Sequence, residues 1–493
     1  MTDPFSIAGK SLPVAERTDV LVVGAGPAGL AAAIEAARRG AAVVLADENP
    51  LPAATMGDDI PLLFGQRMGA VRNLSAVTEA LVATETLLEQ AFDAGVDVRL
   101  GTRCWGLYAP GPSVGWLDGP VAGLESDAGA GLLGFARCIV AAGWRDMGLA
   151  FPGWELPGVM GAAAAWRLAA RYRALDARRA VVVGSTAEAI AAARVLRAAG
   201  VEIVAVIERA DVAPADAGDL PVLTGSGVRR ALGRDGVTGL VVQDASGERI
   251  LDCDTVVLGI GAVPVVELLD AAGCRMACDG RRGGWVPVLD AQGRCSIPCI
   301  QAAGDCAGVW AEKTADRRIA EAEGRAAARL DTLPAGGGDD VTATRMGWVR
   351  DTVLAAGDET YVCRCEEVTA REILEVRPPR YLGAATDRRN DRSLTSLLGE
   401  GPPSPDQVKR LTRAGMGVCQ GRRCREQVAC LLALESGTDL AQVPLAGYRA
   451  PVRPLPLRVL GAAPEPAALA AHWHSWFGIP GQAVPYWEIA EDA

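Results

Sequence analysis

Histidine is nearly missing from this chain, with His472 and His474 the only two among 493 residues. That scarcity excludes a His-rich metal site and most histidine-driven acid–base mechanisms. The His-x-His pair alone falls short of a metal site, which needs more than two ligands. A basic stripe is also lacking: the net charge is −11 and the Arg and Lys residues are scattered, so no phosphate-tracking nucleic-acid surface is expected. At the amino terminus Asp3 precedes Phe5, with no basic segment, apolar core and cleavage site in succession. The apolar run from Val20 to Ile34 carries a glycine turn and is too short to span a bilayer. The expectation is a cytoplasmic protein without a transmembrane segment. Low-complexity tracts are absent, which leaves a chain long enough for about three globular domains.

Cysteine, by contrast, is plentiful. Thirteen is an odd number and too many for bland packing in a cytosolic chain, so some should bind metal. The Cys-x-x-Cys or Cys-x4-Cys pair of a flavin-linked dithiol site is missing from the first 330 residues. Cys295, Cys299 and Cys306 therefore read as small apolar packing groups.

Two strand, tight-turn and helix units organise those residues. Asp19 to Val23 leads into Gly24-Ala25-Gly26-Pro27-Ala28-Gly29 and a helix to Arg39, then a strand from Ala42 to Ala46. Ala180 to Val183 leads into Gly184-Ser185-Thr186-Ala187-Glu188-Ala189 and a helix to about Ala199, then a strand from Glu202 to Ile207. Both are βαβ units of parallel sheets. A dinucleotide's pyrophosphate needs backbone N–H groups at a helix N-terminus, and only glycine lets the main chain turn and approach closely there. Gly24, Gly26 and Gly29 meet that need, with Asp47, or Glu48 beside it, placed to bind the ribose hydroxyls. Two short strands follow, one ending at Gly143 and the other at Gly304-Asp305. In the two-dinucleotide-fold flavoproteins, which this arrangement resembles, the first returns beside FAD, and the aspartate of the second contacts the flavin side of the pyrophosphate and ribityl chain. Asp305 takes that role by resemblance. In the second unit Gly184 and Glu208 suit NAD, but Thr186 stands where the middle glycine should be, so the fold is expected to persist with its nucleotide site vacant or repurposed.

Cys363-Arg364-Cys365 and Cys419-Gln420-Gly421-Arg422-Arg423-Cys424 are the strongest metal signal. Two close thiolate pairs suit a [2Fe-2S] cluster, one pair to each iron; zinc is the rival. Thr369 and Glu372 form a capping-box pattern, and Pro405 to Thr412 reads as a second helix.

These segments, with Gln407 to Gly417, resemble the cluster domain related to bacterioferritin-associated ferredoxin. Phe151-Pro152-Gly153-Trp154-Glu155-Leu156-Pro157-Gly158-Val159-Met160 is similar to the matching stretch in α subunits of opine oxidases, hydroxyproline and proline dehydrogenases, hydrogen cyanide synthase and heterotetrameric sarcosine oxidase. The resemblance implies an α/β fold of two Rossmann-like domains, of the pyridine nucleotide-disulfide oxidoreductase type, plus a small helical [2Fe-2S] domain. The expected bounds are 1–150 with 285–330 for FAD, 151–284 for the NAD-like fold, 331–358 for a linker, 359–435 for the cluster and 436–493 for a tail serving as an interface. It also implies an FAD-dependent oxidoreductase acting on CH–NH or CH–NH2 donors, beside a second, amine-oxidising flavin subunit, with or without small additional subunits. The substrate would be an amino acid, imino acid or opine. The sequence departs from the family in Leu51-Pro52-Ala53-Ala54, where a Gly-Gly pair is usual, and in an insert over 380–403. Two other readings remain open: an NAD(P)H-dependent reductase feeding the cluster through FAD, and a structural nucleotide-binding subunit. No substrate clamp or general base is identifiable.

Overall fold

The structure, a computed structural model, describes residues 14, 16–49, 83, 85–110, 119–357, 359–377 and 393–462. The departure at 51–54, most of the insert and the aromatic cluster of Trp473, Trp476, Phe477, Tyr486 and Trp487 lie outside the described residues.

The first unit is built on β1 (Glu16–Val23), α1 (Pro27–Arg38), β2 (Val43–Asp47), α2 (Thr86–Asp93), β3 (Asp97–Leu100), β4 (Arg103–Tyr108), β5 (Val121–Ser126) and β6 (Gly129–Val140). Its sheet runs β3-β2-β1-β6-β5-β4, parallel among β3, β2, β1 and β6 and antiparallel in the β4-β5-β6 meander. Val20, Leu21 and Val22 are almost wholly buried, as a strand covered on both faces requires.

After β7 (Trp144–Asp146), the second unit forms from β8 (Val159–Gly161), α3 (Ala162–Trp166), β9 (Arg179–Val183), α4 (Ala187–Ala198), β10 (Glu202–Ile207), β11 (Val222–Leu223), β12 (Gly227–Gly233), β13 (Val237–Asp244), β14 (Gly247–Asp252) and β15 (Thr255–Leu258). A parallel sheet, β11-β10-β9-β15-β8, packs beside the antiparallel β12-β13-β14 sheet. The chain then leaves through β16 (Ala262–Pro264), which pairs with β7, and through α5 (Glu267–Ala271), β17 (Met276–Asp279) and β18 (Gly284–Pro287).

It returns to the first sheet at β19 (Ile300–Ala302), parallel to β6 with Ile300 opposite Cys138. Next come α6 (Ala311–Ala315) and α7 (Arg317–Arg329). Helix α7 lies on α1 so closely that a Cβ on Gly324 would strike the backbone of Ala28. The segment expected to be linker, 331–358, is instead helical over much of its second half. There α8 (Thr342–Trp348) runs into a π-helical stretch, Val349–Leu354, because Trp348, Val349 and Val353 find a buried face.

The C-terminal region is helical: β20 (Tyr361–Cys363), β21 (Val368–Thr369), α9 (Ala370–Leu374), α10 (Leu394–Glu400), α11 (Pro405–Thr412), α12 (Arg425–Ser436) and α13 (Leu457–Ala462). The Thr369/Glu372 capping box opens α9 with both of its hydrogen bonds made. Between α12 and α13 the chain straps back over β18 and the first unit. Val443 accepts a hydrogen bond from Trp285 (3.1 Å), Val452 donates to Trp105 (2.8 Å), and Arg453 pairs with Glu48 (2.8 Å). No helix among the described residues is long and apolar enough to cross a membrane.

Candidate cofactor sites

The three glycines at the β1–α1 turn do different jobs. Gly24 has φ +109, and a Cβ there would strike the carbonyl of Ala141. A Cβ on Gly29 would strike the carbonyl of Gly24. Gly26, by contrast, is in ordinary extended backbone with nothing within 4 Å of where its Cβ would be. The protein itself therefore does not need glycine at position 26, and the bare backbone there opens on empty space at a helix N-terminus, where Pro27 occupies the first turn and Ala28 is buried. Gly143 is similarly open.

At the end of β2, Asp47 accepts from Ala25 N–H (2.5 Å) and from Asn49 N–H (2.7 Å). Burial pushes its carboxyl up, opposed by those two bonds. Glu48, the alternative ribose ligand from the sequence, is turned to Arg453, so Asp47 is the acid left beside the glycine turn.

The Gly304-Asp305 turn lands beside this opening. The N–H of Ala303 donates to Val140, and a Cβ on Gly304 would press on Ala28. Asp305 Oδ1 is buried without a hydrogen-bond partner, and burial raises its carboxyl to about 6, against the pull of Lys313. A buried carboxylate oxygen lacking a donor, beside two glycines that open on empty space, fits a dinucleotide whose ribityl hydroxyls would supply the donor.

The motif reading missed what holds that turn. Lys313 Nζ donates to Gly304 O (2.8 Å), Gly308 O (2.8 Å) and Glu323 (2.7 Å), while Glu323 accepts from Gly304 N–H (2.8 Å). Trp310 covers the ammonium, its ring centre 4.5 Å away. One signal was available: of 49 basic residues only Lys10, Lys313 and Lys409 are lysines. A compact ammonium can satisfy three convergent acceptors where a planar guanidinium cannot.

In the second unit, Gly184 keeps the positive φ of a tight turn, but its own side chains fill the helix N-terminus. Thr186 caps α4, accepting from Ala189 N–H (3.4 Å) and donating to Gly259 O (3.2 Å). Glu208 is held by the Ser185 hydroxyl and by Ala210 N–H, and Glu188 in the first turn accepts from Thr314 (3.1 Å). A threonine where the pyrophosphate must approach, with an acid beside it, does not fit a dinucleotide.

The four cysteines singled out by spacing come together. Cys363 ends β20 and accepts from Gly415 N–H (3.3 Å), Cys365 Sγ lies 3.6 Å from Cys419 Sγ, and Cys424 immediately precedes α12. A Cβ on Gly417 would meet Cys365 Sγ at 2.5 Å, so a side chain there would displace that thiol. With Arg364 and Arg423 the four line one small cavity. Arg364 stacks over Trp154 (4.7 Å), and burial with nearby Arg423 lowers its guanidinium to about 9. Among the described residues no three His, Cys, Asp or Glu side chains surround one metal-ion position. Cys430 is buried within α12 outside this cavity, and Cys295 and Cys306 are buried in the first unit's core.

Residues 18–324 match the pyridine nucleotide-disulphide oxidoreductase family, and residues 392–464 match the sarcosine oxidase A3 domain. An opine oxidase subunit of Rhizobium meliloti is 29% identical over 92% of this chain and 89% of its own length. Hydrogen cyanide synthase subunit HcnB of Pseudomonas aeruginosa is 27% identical over 88% of this chain and 97% of its own. The crystal structure of L-proline dehydrogenase from P. horikoshii shares the fold, with a TM-score of 0.62 at 19% identity over 90% of this chain and 80% of that one.

Proposed function

The chain belongs to the pyridine nucleotide-disulphide oxidoreductase family, and from that premise we propose that it is the FAD- and [2Fe-2S]-bearing subunit of a hetero-oligomeric dehydrogenase or oxidase of amino acids, imino acids or opines. The observation that carries the reading is the meeting of Cys363, Cys365, Cys419 and Cys424 around one cavity in a flavoprotein fold. The subunit names and chain-length similarity of the opine oxidase and cyanide synthase relatives support a multi-subunit assembly. When bound, FAD handles electron pairs and a [2Fe-2S] cluster handles electrons singly.

This chain's own residues bind and orient. The β1–α1 turn at Gly26 would hold the pyrophosphate of FAD, Asp47, which accepts from Ala25 N–H, would hold the adenosine ribose, and Asp305 would hold the ribityl chain, while Lys313 and Glu323 fix the Asp305 turn. The cysteine pairs would hold one iron each of a [2Fe-2S] cluster, with zinc on the four thiolates as the rival that metal analysis separates. The substrate would be oxidised on the partner subunit. An NAD(P)H-fed reductase is disfavoured by the self-capped α4.

Co-purification with the products of neighbouring genes, followed by turnover with proline, hydroxyproline, sarcosine, glycine and opines, tests the proposal. Iron with a paramagnetic signal on reduction, together with FAD, is the expected content. Zinc without iron, or NADH bleaching the flavin of the isolated chain, would overturn it.

A further inference from the structure

The stretch 151–160, which Ala150 immediately precedes, was conspicuous in the sequence only as a mark of resemblance. In the structure it touches both cysteine segments. Gly153 (φ +86) and Gly158 (φ +107) let the turn lie on the second unit's sheets, where Pro152 O accepts from Ala231 and Pro157 O accepts from Val237. Trp154, one of the largest fully buried side chains, then reaches the first cysteine pair: its indole N–H donates to Tyr361 O (2.6 Å), and its ring carries the Arg364 guanidinium. Arg364 also donates to Glu155 O (3.4 Å). The second pair is fastened to the same stretch, because Gln427 accepts from Ala150 N–H (2.7 Å) and donates to Arg423 O (2.8 Å) beside Cys424.

We propose that Trp154 is a positioning residue for the four-cysteine site, holding the Cys363-Arg364-Cys365 segment in place and pinning the Arg364 charge at the cavity wall, where it raises the reduction potential of the cluster. The inference rests on the iron–sulfur reading of those cysteines. A cation held beside a cluster favours its more negative, reduced form, so a guanidinium fixed by a ring face and a carbonyl acts more strongly than one free to swing into water.

The test uses the FAD-loaded chain and reads the cluster's midpoint potential, its paramagnetic spectrum and the iron-to-flavin ratio. Trp154→Leu should retain FAD and lower the potential, with about a tenfold fall in the reduced-to-oxidised ratio at the wild-type midpoint, about 59 mV for a one-electron couple. Trp154→Phe keeps the ring face and should restore most of the shift. Arg364→Gln should lower the potential to a similar extent, and the double variant should add little, since both changes act through the same Arg364 charge. If Trp154→Leu does not fold, Arg364→Gln decides, with Trp154→Phe as the control that keeps the ring face. Unchanged potential and spectrum in folded Trp154→Leu or in Arg364→Gln, or full additivity, would overturn the inference. A wild-type protein without iron would instead overturn the reading beneath it.

Discussion

Gly26 and Gly24 are chemically identical and should fail differently. Gly26→Ala meets no protein atom and has an ordinary φ, so the flavin-free protein should melt as wild type does while the purified variant carries no FAD. Gly24→Ala has to adopt φ +109 against the Ala141 carbonyl, and should lose more than about 2 kcal/mol of stability, read by denaturant titration with or without cofactor. Asp305 gives a pH prediction. Its folded carboxyl lies at about 6, above its unfolded value, so its contribution is fully present below pH about 4 and is lost as pH rises to about 6. The flavin-free protein should therefore lose up to about 3 kcal/mol across that window, and Asp305→Asn should flatten that part of the stability profile. The glycine turn and the acid at the end of β2 were legible in the sequence, because a strand, a tight turn and a helix set their offsets. Lys313 and Glu323 were not, since they meet each other and the backbone of the Gly304 turn at offsets that form no recognisable motif.

Elements whose stability is local were the legible ones. The predicted Glu202–Ile207 strand and Pro405–Thr412 helix match the observed bounds, and the Thr369 capping box closes as its residues require. Helix α8 was hidden because its neighbours are rich in Gly, Pro and Asp, and its helicity comes from burial of Trp348 and Val349 and from Arg345 donating to Gly283 O (2.7 Å). The contact between α6 and α7 depends on a buried ion pair whose removal on one side leaves an uncompensated charge. Lys313→Met should cost about 3–5 kcal/mol, measured by urea unfolding, and should release FAD because the Gly304 turn loses its anchor. At the start of α12, Cys424→Ala should abolish iron binding, whereas Cys430→Ala, six residues along the same helix, should keep full iron content and cost only about 1 kcal/mol.

For the whole molecule, the expectation is that the purified chain holds both cofactors yet oxidises no amine with an artificial acceptor until its partner is added; turnover by the chain alone would refute the division of labour. In the reconstituted complex, Cys363→Ala should stop turnover while substrate still reduces the partner's flavin. The tail's docking was readable only as a Pro-rich stretch unable to form long helices, because its anchors, Trp285, Trp105 and Glu48, lie far away in sequence. The pairing of β19 with β6 carries one more consequence, for the ribosome. The two strands are separated by roughly 160 residues of chain, and at about 5–20 residues per second the second emerges on the order of 10–30 s after the first. Throughout that interval the nascent protein displays its glycine turn without Asp305, and the intervening unit must fold while its neighbour is still missing a strand. On the proposed role of Asp305, a nascent chain stalled at about residue 290 should emerge empty however much FAD surrounds it.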